Sequence, residues 1–319
     1  MELFNLKNDK IEEVELKPFK LEKEIQSLIE KNTETLFNLE FIASELRVDK
    51  YRLDSLCYDN ETNSFVIIEY KKGDSYSVID QGYTYLQLLL NNKSDFILKL
   101  SQHYNKVMQI SDVDFSQSKI IFVSQSFNSY QKDSVNFKNL PFELWEIKRF
   151  SNNSIVFNKH KSNSIESIDS LATSQNQTKI KSVNEEIIVY EEDYHTKKLD
   201  AKTLIKWNDL KEKLLELENI NLEFQKGYIK FAGERKGICY CGFRKNKIVI
   251  ELLRGNINTD GSRSKNYFNL DDPKGIAEEK LWEWKNGVKG TIYKIPLNQT
   301  SNIDYIYFLI LQKYKSLLK

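Results

Sequence analysis

The stretch RLDSLCYDNETNSFVIIEYKK, Arg52 to Lys72, sets two acids and a lysine inside runs that are otherwise apolar. Alternate residues of a strand share a face. Phe65, Ile67, Glu69 and Lys71 therefore line one side, and Val66, Ile68 and Tyr70 the other. Closing a hairpin across DNETNS so that Tyr58 pairs with Phe65 puts Asp54 opposite Glu69, with Cβ atoms roughly 5 Å apart. Like charges so placed repel, and burial raises the cost. A divalent cation between them removes the conflict, and Mg2+ is commonly held by one or two carboxylates with water and phosphate oxygens. Lys71 stands two residues further along the same face, roughly 7 Å away, where it could meet a phosphate or orient a water. Two carboxylates, a cation and a lysine form a hydrolytic constellation for a phosphodiester.

Further polar residues follow in order. In DQGYTYLQ, Gln81 and Tyr85 are four apart and share a helix face; both can hydrogen-bond to a phosphate or a water. In FKLEKEIQSLIEKNTETLF the apolar residues fall at helical spacing. On that helix Glu22 projects within about 60–80° of the apolar stripe's centre, whereas Glu30 and Glu34 point nearly opposite it. A lone E-x-K is common on edge strands with a solvated face, and a first-turn acid such as Glu22 is ordinarily favoured by the helix dipole. The ordered set, each member on the element it needs, is what favours chemistry.

These residues need a scaffold. A helix is expected before FIASELRV, a strand, and the hairpin follows. Residues from about Ser77 to Leu90 read as a second helix. KIIFVSQSF suits a sheet centre, a short helix follows, and FELWEIKRF and SIVFNKH alternate as sheet edges. The order predicts an α/β sheet with helices packed on it. Residues 159–186, rich in Ser, Asn, Gln and Lys, read as a polar linker. It separates a domain at 1–158 from a smaller α+β domain at 187–319, built from an amphipathic helix, several strands and a closing helix.

Composition limits the alternatives. Forty-seven Lys and Arg against 46 Asp and Glu leave a net charge of +1, so an anionic partner must be held by a local patch. Cys57, Cys239 and Cys241 cannot build a disulfide framework or a four-cysteine zinc site; Cys239 and Cys241 share a strand face as small core residues. MELFNLKNDKIEE lacks a signal-peptide pattern, and YIYFLIL is far short of a membrane span. A soluble, cytoplasmic chain without a membrane partner is expected.

The segments LEKEIQSLIEKN, YRLDSLCYD, FVIIEYKKG and VIDQGYTYL resemble the successive motifs of the PD-(D/E)XK nuclease superfamily. Within it they are similar to the RecB-like and NucS/EndoMS-like endonuclease branch with its Q-x-x-x-Y helix, over roughly residues 20–160. Leu53 stands where the superfamily's name has Pro, and an Arg-Leu-Asp or similar triplet is usual for this branch. The resemblance implies a restriction-endonuclease-like mixed sheet flanked by helices. It implies Asp54 and Glu69 as ligands of Mg2+ or Mn2+ and Lys71 positioning or activating the attacking water. Gln81 and Tyr85 would support the site, Glu22 would add an acid, and Arg52 and Lys72 would face the nucleic-acid backbone.

The expected activity is metal-dependent hydrolysis of phosphodiester bonds in DNA by an endonuclease of repair or defence type, with a homodimer open to it. The alternative is a non-cleaving nucleic-acid-binding or interaction protein on the same scaffold; a third reading gives the main activity to the C-terminal domain. That domain resembles an uncharacterised one found behind such nuclease domains, on VYEEDYH and FNLDDPKGI. Its Tyr228, Tyr240, Arg244, Arg254, Arg263, Trp282 and Trp284 mix aromatics with cations that could stack bases, though core aromatics and solvated charges are the ordinary reading.

Overall fold

The computed structural model describes residues 2–71, 78–135, 140–160, 177–233, 236–258, 260–265, 267–283 and 288–318. The chain forms two compact units, Met1–Val189 and Tyr190–Lys319.

The first unit opens with a hairpin of β1 (Phe4–Lys7) and β2 (Lys10–Glu13), which the sequence reading did not anticipate. Then come α1 (Glu22–Glu30), α2 (Thr33–Phe37), β3 (Glu40–Val48), β4 (Tyr51–Asp59) and β5 (Ser64–Lys71). They are followed by α3 (Val78–Asn91), α4 (Lys93–Tyr104), β6 (Lys119–Ser124), α5 (Ser129–Ser134), β7 (Phe142–Arg149), β8 (Ile155–Lys159) and α6 (Gln177–Glu186). The six longer strands form one mixed sheet in sequential order, β3 to β8. The pairs β5–β6 and β6–β7 are parallel and the rest antiparallel. This is the expected mixed α/β sheet flanked by helices. One core lies between the sheet and α3, α4 and α6, and the other between the sheet and α1.

β5 is buried at seven of its eight positions, because it lies mid-sheet with a core on each side. That explains its unbroken FVII run. The turn before it is fixed locally: the Asp59 carboxylate accepts from the Glu61 and Thr62 amides, and Asn63 takes a left-handed φ of 53°. The turn sets the register. Tyr58 pairs with Phe65 and Ser55 with Ile68, as the hairpin reading requires.

Two expectations are corrected. β7 is an interior strand between β6 and β8; its alternation reflects unequal cover of its two faces. Residues 159–186 are not one linker. Lys159 closes β8 and Gln177–Glu186 form α6 against α3, while residues 161–176 lie outside the described residues. Val183 is fully buried and Ile187 nearly so. A few apolar contacts in a Ser/Asn/Lys-rich stretch suffice to dock a helix.

The second unit contains α7 (Glu192–Thr196), α8 (Ala201–Leu215), β9 (Asn221–Phe224), β10 (Ile229–Ala232), β11 (Gly237–Arg244) and β12 (Lys247–Ile257). β13 (Glu278–Glu283), β14 (Lys289–Leu297) and α9 (Ile303–Leu317) complete it. Its strands make an antiparallel sheet in the order β13-β14-β12-β11-β10-β9. Trp207 on α8 and Leu309 and Ile310 on α9 share a core with the sheet, which includes Cys239 and Cys241. No helix among the described residues is long and apolar enough to cross a membrane.

Because Val183 anchors α6, Val183→Asp should lower the unfolding free energy by about 3 kcal/mol by burying an unpaired charge. Denaturant unfolding of the full chain checks this; an unchanged midpoint would return the segment to a linker.

Candidate active site

β4 and β5 bring the acids together. Their paired residues end at Ser55–Ile68, and one step further the same register sets Asp54 opposite Glu69. On β4's other side, the β3–β4 ladder runs through Ser44–Ser55 and Leu46–Leu53 but skips the position between. There Glu45 has a φ of 50°, the left-handed region that non-glycine residues seldom occupy. Asp54 is therefore flanked by gaps in both ladders. Its carboxylate Oδ2 accepts the backbone N–H of Tyr70 at 3.0 Å.

Glu69 is 6% exposed, and donors converge on one of its oxygens. Gln81 Nε2 donates to Oε1 at 2.7 Å, Tyr85 OH at 3.4 Å and Lys71 Nζ at 3.4 Å. Gln81 Nε2 also donates to Tyr85 OH at 3.0 Å, and Tyr85 OH reaches the Arg52 carbonyl at 3.4 Å. The helical spacing of four thus delivers both side chains to Glu69, rather than to a phosphate or a water. α3 comes this close because Gly82 lies under Phe142, whose ring a Cβ would meet at 2.6 Å.

Glu22 sits at the exposed start of α1. Its charge is felt at Asp54, though no hydrogen bond joins it to the pair. The preceding segment is clamped: Gln125 exchanges two hydrogen bonds with the Phe19 backbone, at 2.7 and 3.0 Å. Arg149 lies 4.3 Å over the Phe19 ring and donates to the carbonyls of Lys17 and Pro18. Arg52 is exposed and 3.7 Å from Glu45; Lys72 lies outside the described residues. Glu30 departs from expectation. Instead of facing away, it accepts from Ser44 and Ser55, each at 2.7 Å, and from Gln26 at 2.8 Å. The sequence reading passed over Gln26, which is buried and donates to the Asp54 carbonyl at 3.1 Å. Its signal was position alone, one turn after Glu22 and one before Glu30.

Electrostatically the pair is under tension. Burial, then repulsion from Asp54, pushes Glu69 from its ordinary 4.5 up to about 7. Burial also raises Asp54; the Tyr70 amide and the Lys71 charge oppose that, and Glu22 adds to it. Tyr85 is pushed up to about 12 by burial and by Glu69. Among the described residues, Glu69 Oε2 is buried with no hydrogen-bond partner. A buried orphan oxygen on a strained carboxylate pair fits a cation. Among the described residues no three His, Cys, Asp or Glu side chains converge into a metal-binding group. Asp54 and Glu69 are the two carboxylates that could contribute to holding an ion there.

No family model matches the chain. It is 38% identical over 322 residues to an uncharacterized protein of Haemophilus influenzae, covering 99% of this chain and 100% of that protein. The chain belongs to that protein's family. Three solved structures resemble parts of it. A repair endonuclease from Pyrococcus abyssi shares 18% identity over 37% of this chain and 43% of that one, with a TM-score of 0.20. An EndoMS–dsDNA complex shares 19% over 41% and 47%, with a TM-score of 0.23. SfsA of Pyrococcus furiosus in complex with Ca2+ shares 14% over 45% and 65%, with a TM-score of 0.25. The matches span less than two thirds of each of those chains.

In the second unit, the aromatic–cation mixture is largely used internally. Arg254 is buried, lies over the rings of Tyr267 and Tyr293, and bonds to the Phe268 carbonyl and Asn269. Arg263 also covers Tyr267, and Lys230 covers Tyr240. Trp284 lies outside the described residues.

The tension gives a pH prediction with a definite sign. Glu69 binds its proton more tightly folded than unfolded, so without divalent ions stability should fall as pH rises from about 4.5 to about 7. Glu69→Gln should remove most of that slope and exceed the wild type by about 2 kcal/mol at pH 8. Thermal melts in chelator between pH 5 and 8 measure it; parallel curves would contradict it.

Proposed function

We propose that the first unit is a metal-dependent phosphodiesterase, an endonuclease acting on DNA in repair or defence, with Asp54 and Glu69 holding Mg2+ or Mn2+. One observation carries the reading: the β4–β5 register sets the half-buried Asp54 opposite the buried Glu69, and among the described residues Glu69 Oε2 has no partner. A cation held there would neutralise the pair, polarise the phosphodiester and lower the pKa of a water.

The chain's own groups have distinct tasks. Gln81 holds Glu69 Oε1 at 2.7 Å and is itself backed by Tyr85, which leaves Oε2 for the cation. The Tyr70 amide holds Asp54 Oδ2 and so fixes the second ligand. Lys71 is only 15% exposed at its side chain. Its ammonium can donate to the attacking water or offset charge building on a phosphate oxygen. Glu22 adds negative charge at the α1 end of the site. Arg52 is exposed and loosely paired with Glu45, so a backbone phosphate can replace that acid. Lys72 is assigned to the nucleic-acid backbone by its place in the sequence alone.

Asp54→Ala and Glu69→Ala should each cut Mg2+- or Mn2+-dependent cleavage by at least about 1,000-fold, and Lys71→Met by about 100-fold or more. Branched, mismatched and single-stranded DNA are the substrates to try, with nicked products resolved on gels. Full activity in both acid variants would remove the assignment. Mn2+ binding without cleavage of any nucleic acid would favour the non-cleaving reading.

A further inference from the structure

We infer that Gln26 is a positioning residue that fixes Asp54 for cation binding from the opposite face of the sheet. The inference rests on the metal-site reading above. Asp54 lies where both neighbouring ladders lapse and has no cross-strand pairing residue on either side. The left-handed turn at Glu45 interrupts one ladder, and the end of the β4–β5 pairing interrupts the other. Gln26 reaches this position from α1, donating from Nε2 to the Asp54 carbonyl at 3.1 Å.

The amide is itself held. Gln26 is 6% exposed, and Nε2 also meets Glu30 Oε1 at 2.8 Å and Ser44 Oγ at 3.1 Å. Glu30 Oε1 gathers Ser44 and Ser55 as well. The single Ser55 hydroxyl proton goes to Glu30, so the 3.0 Å contact with Tyr70 is donated by the Tyr70 hydroxyl. Tyr70 closes the circuit, because its backbone N–H holds the Asp54 carboxylate. Asp54 is therefore gripped at its carbonyl by Gln26 and at its carboxylate by Tyr70. Both grips tie to one anchor, Glu30. Groups that orient a ligand without touching the ion govern affinity nearly as much as the ligand does.

The test is Mn2+ titration of the full chain, followed by electron paramagnetic resonance. Wild type should show a site that Asp54→Ala abolishes. Gln26→Met, similar in size but without the donor, should weaken that site by about 10–100-fold, with an altered spectrum of the bound ion and an unchanged circular-dichroism spectrum. A dissociation constant within twofold of wild type overturns the positioning role and leaves the metal reading intact. A wild type with no Asp54-dependent site overturns both. Should Gln26→Met fail to fold, Glu30→Gln carries the same test, since it keeps the Gln26 amide but removes the charge that orients it. An unchanged constant there overturns the role equally.

Discussion

Two carboxylates facing each other on adjacent strands, Glu69 buried and Asp54 half-buried, are the constraint around which the first unit is arranged. A sheet can carry Asp54 opposite Glu69 only if something offsets their repulsion. Protonation does so, because Glu69 holds its proton to about 7. Neighbouring groups then stabilise whatever charge remains: an amide N–H on Asp54, and an amide, a phenol and an ammonium on Glu69. These donors are aimed at Asp54 Oδ2 and Glu69 Oε1, and among the described residues the buried Glu69 Oε2 is left without one. A protein that needed only stability would gain by replacing the pair with apolar residues.

The sheet keeps two kinds of chemistry apart. The face towards α3 carries Glu69 with Gln81 and Tyr85; the face towards α1 carries Ser55 and Tyr70 with Gln26 and Glu30. Both faces are apolar further along β5, where Phe65 and Ile67 meet one core and Val66 and Ile68 the other. The polar groups lie at one end of a strand whose remainder is packed on both sides. That packing limits how far the carboxylates can separate, which is what a cation site requires of its scaffold.

Much of this was legible in the sequence, and the failures have physical causes. Strand parity and a short Asx-type turn decided the register at Tyr58–Phe65, because both depend only on local spacing. The same holds for Gln81 and Tyr85. Glu30 was misplaced because its helix was read in isolation. The apolar stripe gives the direction of the core, but Glu30 answers to Ser44 and Ser55, hydroxyls contributed by strands 14 and 25 residues away. Gln26 was invisible for a related reason: an amide on a helix becomes informative only when the carbonyl it reaches is known. α6 was missed because composition outweighed the few apolar positions, Val183 among them, that decide its docking.

A comparison of cross-strand rows in the two sheets separates structural charge from chemical charge. In the second unit one row reads Glu278, Lys294, Glu251, Tyr240, Lys230, Glu223 across six strands. Its signs alternate, and the Lys294–Glu251 and Lys230–Glu223 neighbours are ion pairs at 2.9 and 2.7 Å. Such a row closes on itself and explains its own presence through favourable cross-strand pairing. In the first unit the corresponding row is Glu45, Asp54, Glu69, three acids on three consecutive strands. Nothing in sheet stability favours it. One of the three escapes by adopting a left-handed backbone and turning to Lys23 and Arg52. Asp54, half-buried, stays where both of its ladders lapse, opposite the buried Glu69. Favourable cross-strand pairing accounts for the second unit's row and does not account for the acids of the first.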